Sequence, residues 1–307
     1  MKAPPFDLAA PTSVADAVSA LAGGAGRPGG AAVLAGGQSL LLDLHHRRVR
    51  PSLVVDLRRV PGLDQVRVEP GRVHVGALVR HRALEDPGLV PGAVGRVLPV
   101  VAAHVAHPPI RELGTFCGSL AWAHPTAEWG LLAVTLGAEL HVVSPTGPRT
   151  VAADDWFLGR HRTVRGPADL ITGVSLPLPG PGAGAGFLEH RRTEASFAAA
   201  AVLAVLEVAD GVVKSCRLGL AGAGDRPVRA RRAEEVLLGA AATPAAFAEA
   251  ARTAATQDAV PVAEPHGGTD HRRQVLSVLV RRALSAALAD LDRPHEQDRP
   301  GEQEEAA

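Results

Sequence analysis

Residues 35–44 read AGGQSLLLDL, and this stretch decides how the first part of the chain folds. It places two glycines, an amide and a hydroxyl between a short apolar run, AAVLA at 31–35, and a leucine-rich segment, Leu40 to His46. A buried strand, a tight turn and a helical or turn-like segment follow from that order. Gly36 and Gly37 carry no Cβ, so the turn's backbone N–H groups can approach a ligand closely. Ser39 adds a donor, and Gln38 can donate or accept. The same pattern recurs at 114–119 as GTFCGS. Two such turns face to face would hold a pyrophosphate from both sides. Each turn alone is a weak signal, since a glycine turn more often serves only as a tight strand–helix junction. Neither is a GxGxxG dinucleotide fingerprint, and neither carries the lysine of a GxxxxGK[ST] loop.

Working outward, Thr12 or Ser13 can cap a helix whose Val14, Ala17, Val18 and Leu21 share one face, with Asp16 completing an approximate capping box. The loop AGGAGRPGG ends it. LVVDL at 53–57 is another buried strand, which makes 1–61 a compact α/β unit. Over 62–178 the rhythm changes. QVRVEPGRVHVGAL alternates around Pro70-Gly71 and predicts an antiparallel hairpin. A helical region is expected from the low nineties to about residue 107, a buried helix over Ala127 to Leu136, a hairpin in ELHVVSPTGPRTV and a strand in LITGVSLPLP. A Pro/Gly linker is read at 179–186. The third unit, 187–290, has two strands joined by Asp210-Gly211, a pair suited to the positive φ of a hairpin turn. Helices are expected around 229–238, 244–255 and 270–290. It shows no obvious polar constellation. The tail, 291–307, is polar, proline-bearing and free of aromatics, the composition of a disordered segment.

Charge excludes several classes. Thirty-two Lys and Arg balance 32 Asp and Glu in the 307 residues, so no bulk field favours nucleic acid or an anionic membrane. The runs HHRRVR and HRRT read as ordinary surface arginines. Two cysteines, Cys117 and Cys216, cannot ligate an iron–sulfur cluster or a structural zinc by themselves. The 13 histidines include no HExxH pattern, so no metal site is assigned. MKAPPFDLAAPTS has prolines and an aspartate where a secretion signal needs apolar residues, and AAAAVLAVL at 198–206 is half a membrane span. A cytoplasmic protein is expected.

A resemblance joins these pieces. The segments PPFDLAAPTSVADAVSALA, AGGQSLL, PSLVVDLRRVPGLDQVRV, VHVGALVRHRALE, IRELGTFCGSLAWAHPTAEW, ADLITGVSLP, GVVKSCRLGLAGAGDRPVRA and LVRRALSAAL follow one another as in the FAD-binding medium subunit of molybdenum hydroxylases, the group of carbon monoxide dehydrogenase and xanthine dehydrogenase. The likeness covers nearly the whole chain. It implies an α+β fold: a two-lobed FAD-binding domain of vanillyl-alcohol-oxidase (PCMH) type, then an α+β C-terminal domain of the CO dehydrogenase flavoprotein type. It implies an oxidoreductase subunit that takes electrons from [2Fe–2S] clusters on one partner and passes them through FAD to an external acceptor, while a molybdopterin-binding large subunit oxidises the substrate. A heterohexamer is the implied assembly. The alternatives are a flavin-free assembly subunit of such a complex and a stand-alone FAD-dependent oxidase of a small molecule. The low cysteine count suits clusters held on another chain.

Carried over by residue, the resemblance assigns Ala35, Gly36, Gly37, Gln38, Ser39 and Leu40 to the first FAD turn. It assigns Gly114, Thr115, Cys117, Gly118 and Ser119, with His124, to the second. Leu170 or Ile171 would line the adenine end, and Phe197 would approach the isoalloxazine or serve as a core phenylalanine. No residue is assigned as a catalytic acid or base. The second turn departs from the family pattern, RNRGTIGGSLAHADP. Glu112 replaces an amide, Leu113 an arginine, Cys117 a glycine and His124 an aspartate. Glu189 stands where relatives often carry lysine, and Ser196 where they often carry aspartate. A Cβ at 117 would crowd the turn if φ were positive there. Cys117 is either a small semi-buried substituent or a thiol activated by turn N–H groups. His124 either contacts a phosphate or caps its loop.

Overall fold

The computed structural model describes residues 2–263 and 268–291. Ser13 caps α1 (Val14–Ala25): its Oγ accepts from the Asp16 N–H at 3.0 Å and donates to the Asp16 carboxylate at 2.7 Å. Before it lies β1 (Asp7–Ala9) and after it β2 (Ala31–Leu34), α2 (Leu40–His45) and β3 (Leu53–Asp56). The three strands form a parallel sheet in the order β1-β3-β2. β1 is a finding the sequence reading did not contain. Its three residues are too few to show a period, and pairing with β3 alone makes them a strand.

The second lobe contains β4 (Val66–Glu69), β5 (Arg72–Gly76), α3 (Gly92–His104), α4 (Pro108–Arg111), α5 (Phe116–Trp122) and α6 (Glu128–Leu136). It continues with β6 (Glu139–Ser144), β7 (Gly147–Ala152), α7 (Ala153–Trp156), β8 (Phe157–Gly159), β9 (Arg162–Thr163) and β10 (Leu170–Pro177). The hairpins β4–β5 and β6–β7 flank β10 in an antiparallel sheet of order β4-β5-β10-β6-β7. Alternation sorts its faces. Val73, Val75, Leu140 and Val174 are buried, while His74, His141 and Ser175 form a polar group on the other side, with His141 Nε2 2.7 Å from Ser175 Oγ. α1, α5 and α6 pack against β10, so α1 bridges the two lobes.

The C-terminal unit has β11 (Ala183–His190), β12 (Ala200–Ala209), β13 (Val212–Ala221), β14 (Val228–Arg229), α8 (Arg231–Leu237), α9 (Pro244–Thr253) and α10 (Thr269–Leu291). Asp210 and Gly211 take φ of 55° and 72°, as the hairpin requires. The four strands form an antiparallel sheet buried on both sides. Ala201, Leu203 and Val205 of β12 join the core shared with α3 and α6, whereas Ala200, Val202, Ala204 and Leu206 join the core under α9 and α10. This is why 198–206 is a continuous apolar run.

The segment read as a linker corrects in part: Ala183–Gly186 is the first half of β11. Its glycines have a packing reason. A Cβ on Gly186 would lie 2.8 Å from the Ala287 N and overlap the Ala283 carbonyl oxygen, so α10 rests directly on the strand backbone. Gly186→Ala is expected to lower stability by about 1–3 kcal/mol, as overpacking does. Chemical denaturation measures this, and an unchanged midpoint would contradict the close contact. Beyond Leu291, the tail read as disordered lies outside the described residues. No helix among the described residues is long and apolar enough to cross a membrane.

Candidate functional site

The two glycine turns touch. A Cβ on Gly36 would overlap the Leu113 carbonyl oxygen and lie 2.8 Å from the Gly114 Cα, so the first turn is seated on the second through bare backbone. Gly37 has φ of +75°, the left-handed region that favours glycine. Gln38 Nε2 donates to the Gly36 carbonyl at 3.1 Å, which folds the amide back over the turn. The Leu41 N–H bonds the Gly37 carbonyl and the Asp43 N–H the Ser39 carbonyl, starting α2. Among the described residues, the N–H groups of Gly37, Gln38 and Ser39 have no acceptor. The whole stretch 31–40 is only half-buried. Three consecutive unpaired donors on a half-buried glycine turn can together receive an anion. The cradle and its donors fit a diphosphate.

The second turn is held from behind. Thr115 caps α5 by accepting from the Gly118 N–H at 3.1 Å, and the His81 N–H bonds the Gly114 carbonyl at 3.0 Å. Arg80 donates to the Leu113 carbonyl oxygen, bringing a guanidinium to the place where the turns meet. Arg111 is buried and donates to Glu85 and to the Val105 and Ala106 carbonyls at 3.1 and 3.0 Å, so it clamps the end of α3. Glu112 and Leu113, two departures from the family pattern, are exposed. Glu112 lies 3.7 Å from Arg82, which offsets its charge.

Cys117 corrects one expectation. It is helical with no positive φ, its side chain is packed in the core, and its Sγ lies 4.0 Å from the Gly76 carbonyl. Burial pushes the thiol well above its ordinary range, so it is no activated nucleophile. Its Cβ points into the core and does not crowd the turn.

Behind the turn, His81 Nδ1 accepts from Trp129 Nε1 at 2.9 Å, and Trp129 packs on Phe116 with centroids 5.0 Å apart. A Cβ on Gly114 would lie 2.6 Å from His81 Nε2. Burial, then the nearby Arg111 and Arg80, lowers the imidazole from 6.5 to about 4. The folded value lies below the unfolded one. The neutral ring therefore favours the fold above pH 6.5, and that contribution is lost as pH falls towards 4. The loss amounts to about 3 kcal/mol. Urea midpoints of the wild type and His81→Gln across this range should converge in acid, since the amide can still accept from Trp129 and does not titrate. Parallel curves would contradict it.

At the other end of α5, about 10 Å along a seven-residue helix, four rings gather. Trp122 stacks on His124 with centroids 5.4 Å apart, and His124 stacks on Phe197 at 3.8 Å. His161 lies 4.5 Å from Trp122, and its Nδ1 lies 2.9 Å from the Trp122 carbonyl oxygen. Phe197 is 48% exposed, so it is no core residue. His124 also caps its loop, because the Thr126 N–H donates to its Nδ1 at 3.3 Å. Leu170 and Ile171 are buried on β10 and paired with Val143 and Val142. The structure thus gathers residues 35–40 with 114–119 and joins His124 to Phe197, but holds Leu170 and Ile171 within the core. Sequence reasoning missed Arg80, His81, Trp122 and His161. The Trp-Ala-His spacing across a helix end was the one signal available for this ring group.

Comparison with known proteins shows the chain's family. The family model described as the FAD binding domain in molybdopterin dehydrogenase matches residues 4–179, and the CO dehydrogenase flavoprotein C-terminal domain matches 185–287. The nicotine 6-hydroxylase medium subunit of Paenarthrobacter nicotinovorans is 34% identical over 292 residues, covering 94% of this chain and 99% of the relative. The carbon monoxide dehydrogenase medium chain of Afipia carboxidovorans is 32% identical, over 92% of this chain and 97% of its own. Among solved structures, quinoline 2-oxidoreductase from Pseudomonas putida 86 superimposes with a TM-score of 0.87 at 32% identity, covering 95% of this chain and 100% of the other. Carbon monoxide dehydrogenase from Hydrogenophaga pseudoflava does so with a TM-score of 0.89 at 30% identity, covering 94% and 99%.

Proposed function

The chain belongs to the family of FAD-binding medium subunits of molybdenum hydroxylases, and from that premise we propose that it relays electrons within such a complex. They arrive from [2Fe–2S] clusters on a small subunit and leave through FAD to an external acceptor. A molybdopterin-binding large subunit oxidises the substrate, the assembly has two copies of each of three subunits, and it works in the cytoplasm. The observation that carries this reading is the contact of the two glycine turns with the N–H groups of Gly37, Gln38 and Ser39 left unpaired. Both cysteines are buried and free, which leaves cluster ligation to another chain.

Bound FAD supplies the hydride and one-electron chemistry. The residues of this chain do the rest. Gly37, Gln38 and Ser39 would direct their N–H groups at the diphosphate, with the hydroxyls of Ser39 and Ser119 beside them, while the buried Thr115 holds the second turn by capping α5 and Gly36, Gly114 and Gly118 keep the approach clear. Arg80 adds positive charge at the join. Ala35, Leu40 and the Cys117 backbone complete the two turns, and Ile171 or Leu170 backs the adenine end. Trp122, His124, His161 and Phe197 offer flat, partly exposed faces one α5 length away.

The test is to purify the complex through a tag on this chain and mix it rapidly with a limiting reductant. The iron–sulfur absorbance should bleach and recover while the flavin bleaches. Clusters that stay reduced beside oxidised flavin, or a complex without an iron–sulfur chain, would overturn the reading.

A further inference from the structure

One side chain beside the glycine turns carries a donor that the fold leaves unused. His81 opens a short 3₁₀ turn (His81–Glu85) and is 5% exposed. The backbone around it is stitched antiparallel to the second turn. The His81 N–H bonds the Gly114 carbonyl at 3.0 Å, and the Phe116 N–H bonds the Val79 carbonyl at 3.0 Å. The ring is oriented from the core side. Trp129, fully buried on α6, donates its Nε1–H to His81 Nδ1 at 2.9 Å, with ring centroids 5.9 Å apart. An indole nitrogen only donates, so Nδ1 is the acceptor and the hydrogen of the neutral ring sits on Nε2. Burial, then Arg111 and Arg80, lowers the imidazole to about 4, so this tautomer is the form present at neutral pH.

The Nε2 edge lies where the turns meet. A Cβ on Gly114 would lie 2.6 Å from Nε2 and 2.7 Å from Cδ2, so the bare glycine lets the ring edge reach the turn's backbone. The same Gly114 Cα seats the first turn, 2.8 Å from the Cβ that Gly36 lacks. The Ile110 carbonyl close by already accepts from the Gly114 N–H at 2.7 Å. Nε2 itself has no acceptor among the described residues. Nor is it sealed in: among those residues, the enclosed side-chain nitrogens and oxygens without a partner are the two Glu189 oxygens alone. A donor so far buried is costly until something accepts from it. The charged groups around the ring are the cations Arg80 and Arg111, the second paired with Glu85, and this surplus suits an anionic acceptor.

We infer that His81 is a fourth donor of the FAD cradle, its Nε2–H bonding an oxygen of the diphosphate where the two turns meet. This rests on the FAD reading above. Gly37, Gln38 and Ser39 hold the anion through backbone from the first turn, and His81 holds it through a side chain from the second. No proton is transferred. A neutral N–H of fixed tautomer donates, and the Trp129 bond at the opposite edge of the ring keeps it in place. A hydrogen bond to a charged acceptor is the stronger kind, so one such donor has a measurable share of the affinity.

Nuclear magnetic resonance of the imidazole nitrogens in the full chain tests this. In the FAD-free protein the His81 signals, identified by their loss in His81→Phe, should show the hydrogen on Nε2 and its rapid exchange with water. FAD should slow that exchange and move the proton downfield. ADP, which carries the diphosphate without the flavin, should do the same, and adenosine should not. His81→Phe keeps a ring in the core but no donor, and it should loosen FAD and ADP by about 10-fold or more. His81→Gln, whose amide can accept from Trp129 and still donate, should recover most of that affinity. Equal weakening in both variants would make His81 a packing residue and overturn the inference. So would FAD-loaded protein whose His81 proton exchanges as before, or a proton that FAD protects and ADP does not. A chain that takes up neither FAD nor ADP overturns the flavin reading and this inference with it.

Discussion

Gly36→Val is expected to strip the protein of FAD while leaving most of its fold intact. The added Cβ would overlap the Leu113 carbonyl oxygen and approach the Gly114 Cα to 2.8 Å. Both atoms are backbone, so no side chain can move aside. The turns must separate, and donors on one side lose their register with hydroxyls on the other. Losing two or three charge-assisted hydrogen bonds of about 1.5 kcal/mol each weakens binding by roughly 100-fold or more. FAD released on denaturation, measured against protein, should fall to near zero, with far-ultraviolet dichroism little changed. Gly23→Ala is the control. A Cβ there meets nothing within 4 Å, so FAD content should stay at the wild-type level. Gly36→Val protein that still carries a full complement of FAD would show that the turns are only a strand–helix junction.

Asp290→Ala has the largest effect expected on stability. Asp290 sits in the last turn of α10 with its side chain 6% exposed. Its carboxylate receives the Arg96 Nε at 3.0 and 3.1 Å, the Arg96 Nη2 at 3.0 Å and the Ala185 N–H at 3.0 Å. Arg96 also donates to the Ala183 carbonyl at 3.0 Å, so one ion pair ties α3 of the FAD-binding domain to β11 and α10. Removing one partner leaves a poorly solvated guanidinium and an unpaired N–H. Breaking such a pair costs about 3–5 kcal/mol. For a chain of this size the melting temperature should drop by about 10 °C. Calorimetry checks this, and the Arg96→Met, Asp290→Leu double variant should recover much of the loss by exchanging the pair for apolar contact. A single-variant loss under about 1 kcal/mol would place the pair among weak surface bridges.

The same residues show what the sequence discloses and what it hides. The Gly-Gly-Gln-Ser and Gly-Thr-x-x-Gly-Ser turns were legible because backbone close approach admits few residues, and their meeting is visible as the seat of Gly36 on Leu113 and Gly114. The hairpins at Pro70-Gly71 and Asp210-Gly211 were legible from turn chemistry. Cys117 was harder. Its place in the turn is evident from order, but which side of a seven-residue helix enters the core depends on the sheet behind it. β11 hid in a Gly/Pro-rich stretch because glycine signals a loop and also a close helix contact, and only α10 distinguishes them. The C-terminal unit showed no polar constellation because the partner of its buried carboxylate Asp290 is Arg96, which comes from the other domain. Periodicity cannot pair residues across domains.

The most direct test of the account is a crystal structure of the FAD-loaded protein. The account predicts the pyrophosphate in the recess between the two turns, accepting from the N–H groups of Gly37, Gln38 and Ser39, with Ser119 on its far side and the ring at Trp122, His124 and Phe197. A diphosphate bound elsewhere, with those three N–H groups turned to water, would contradict it.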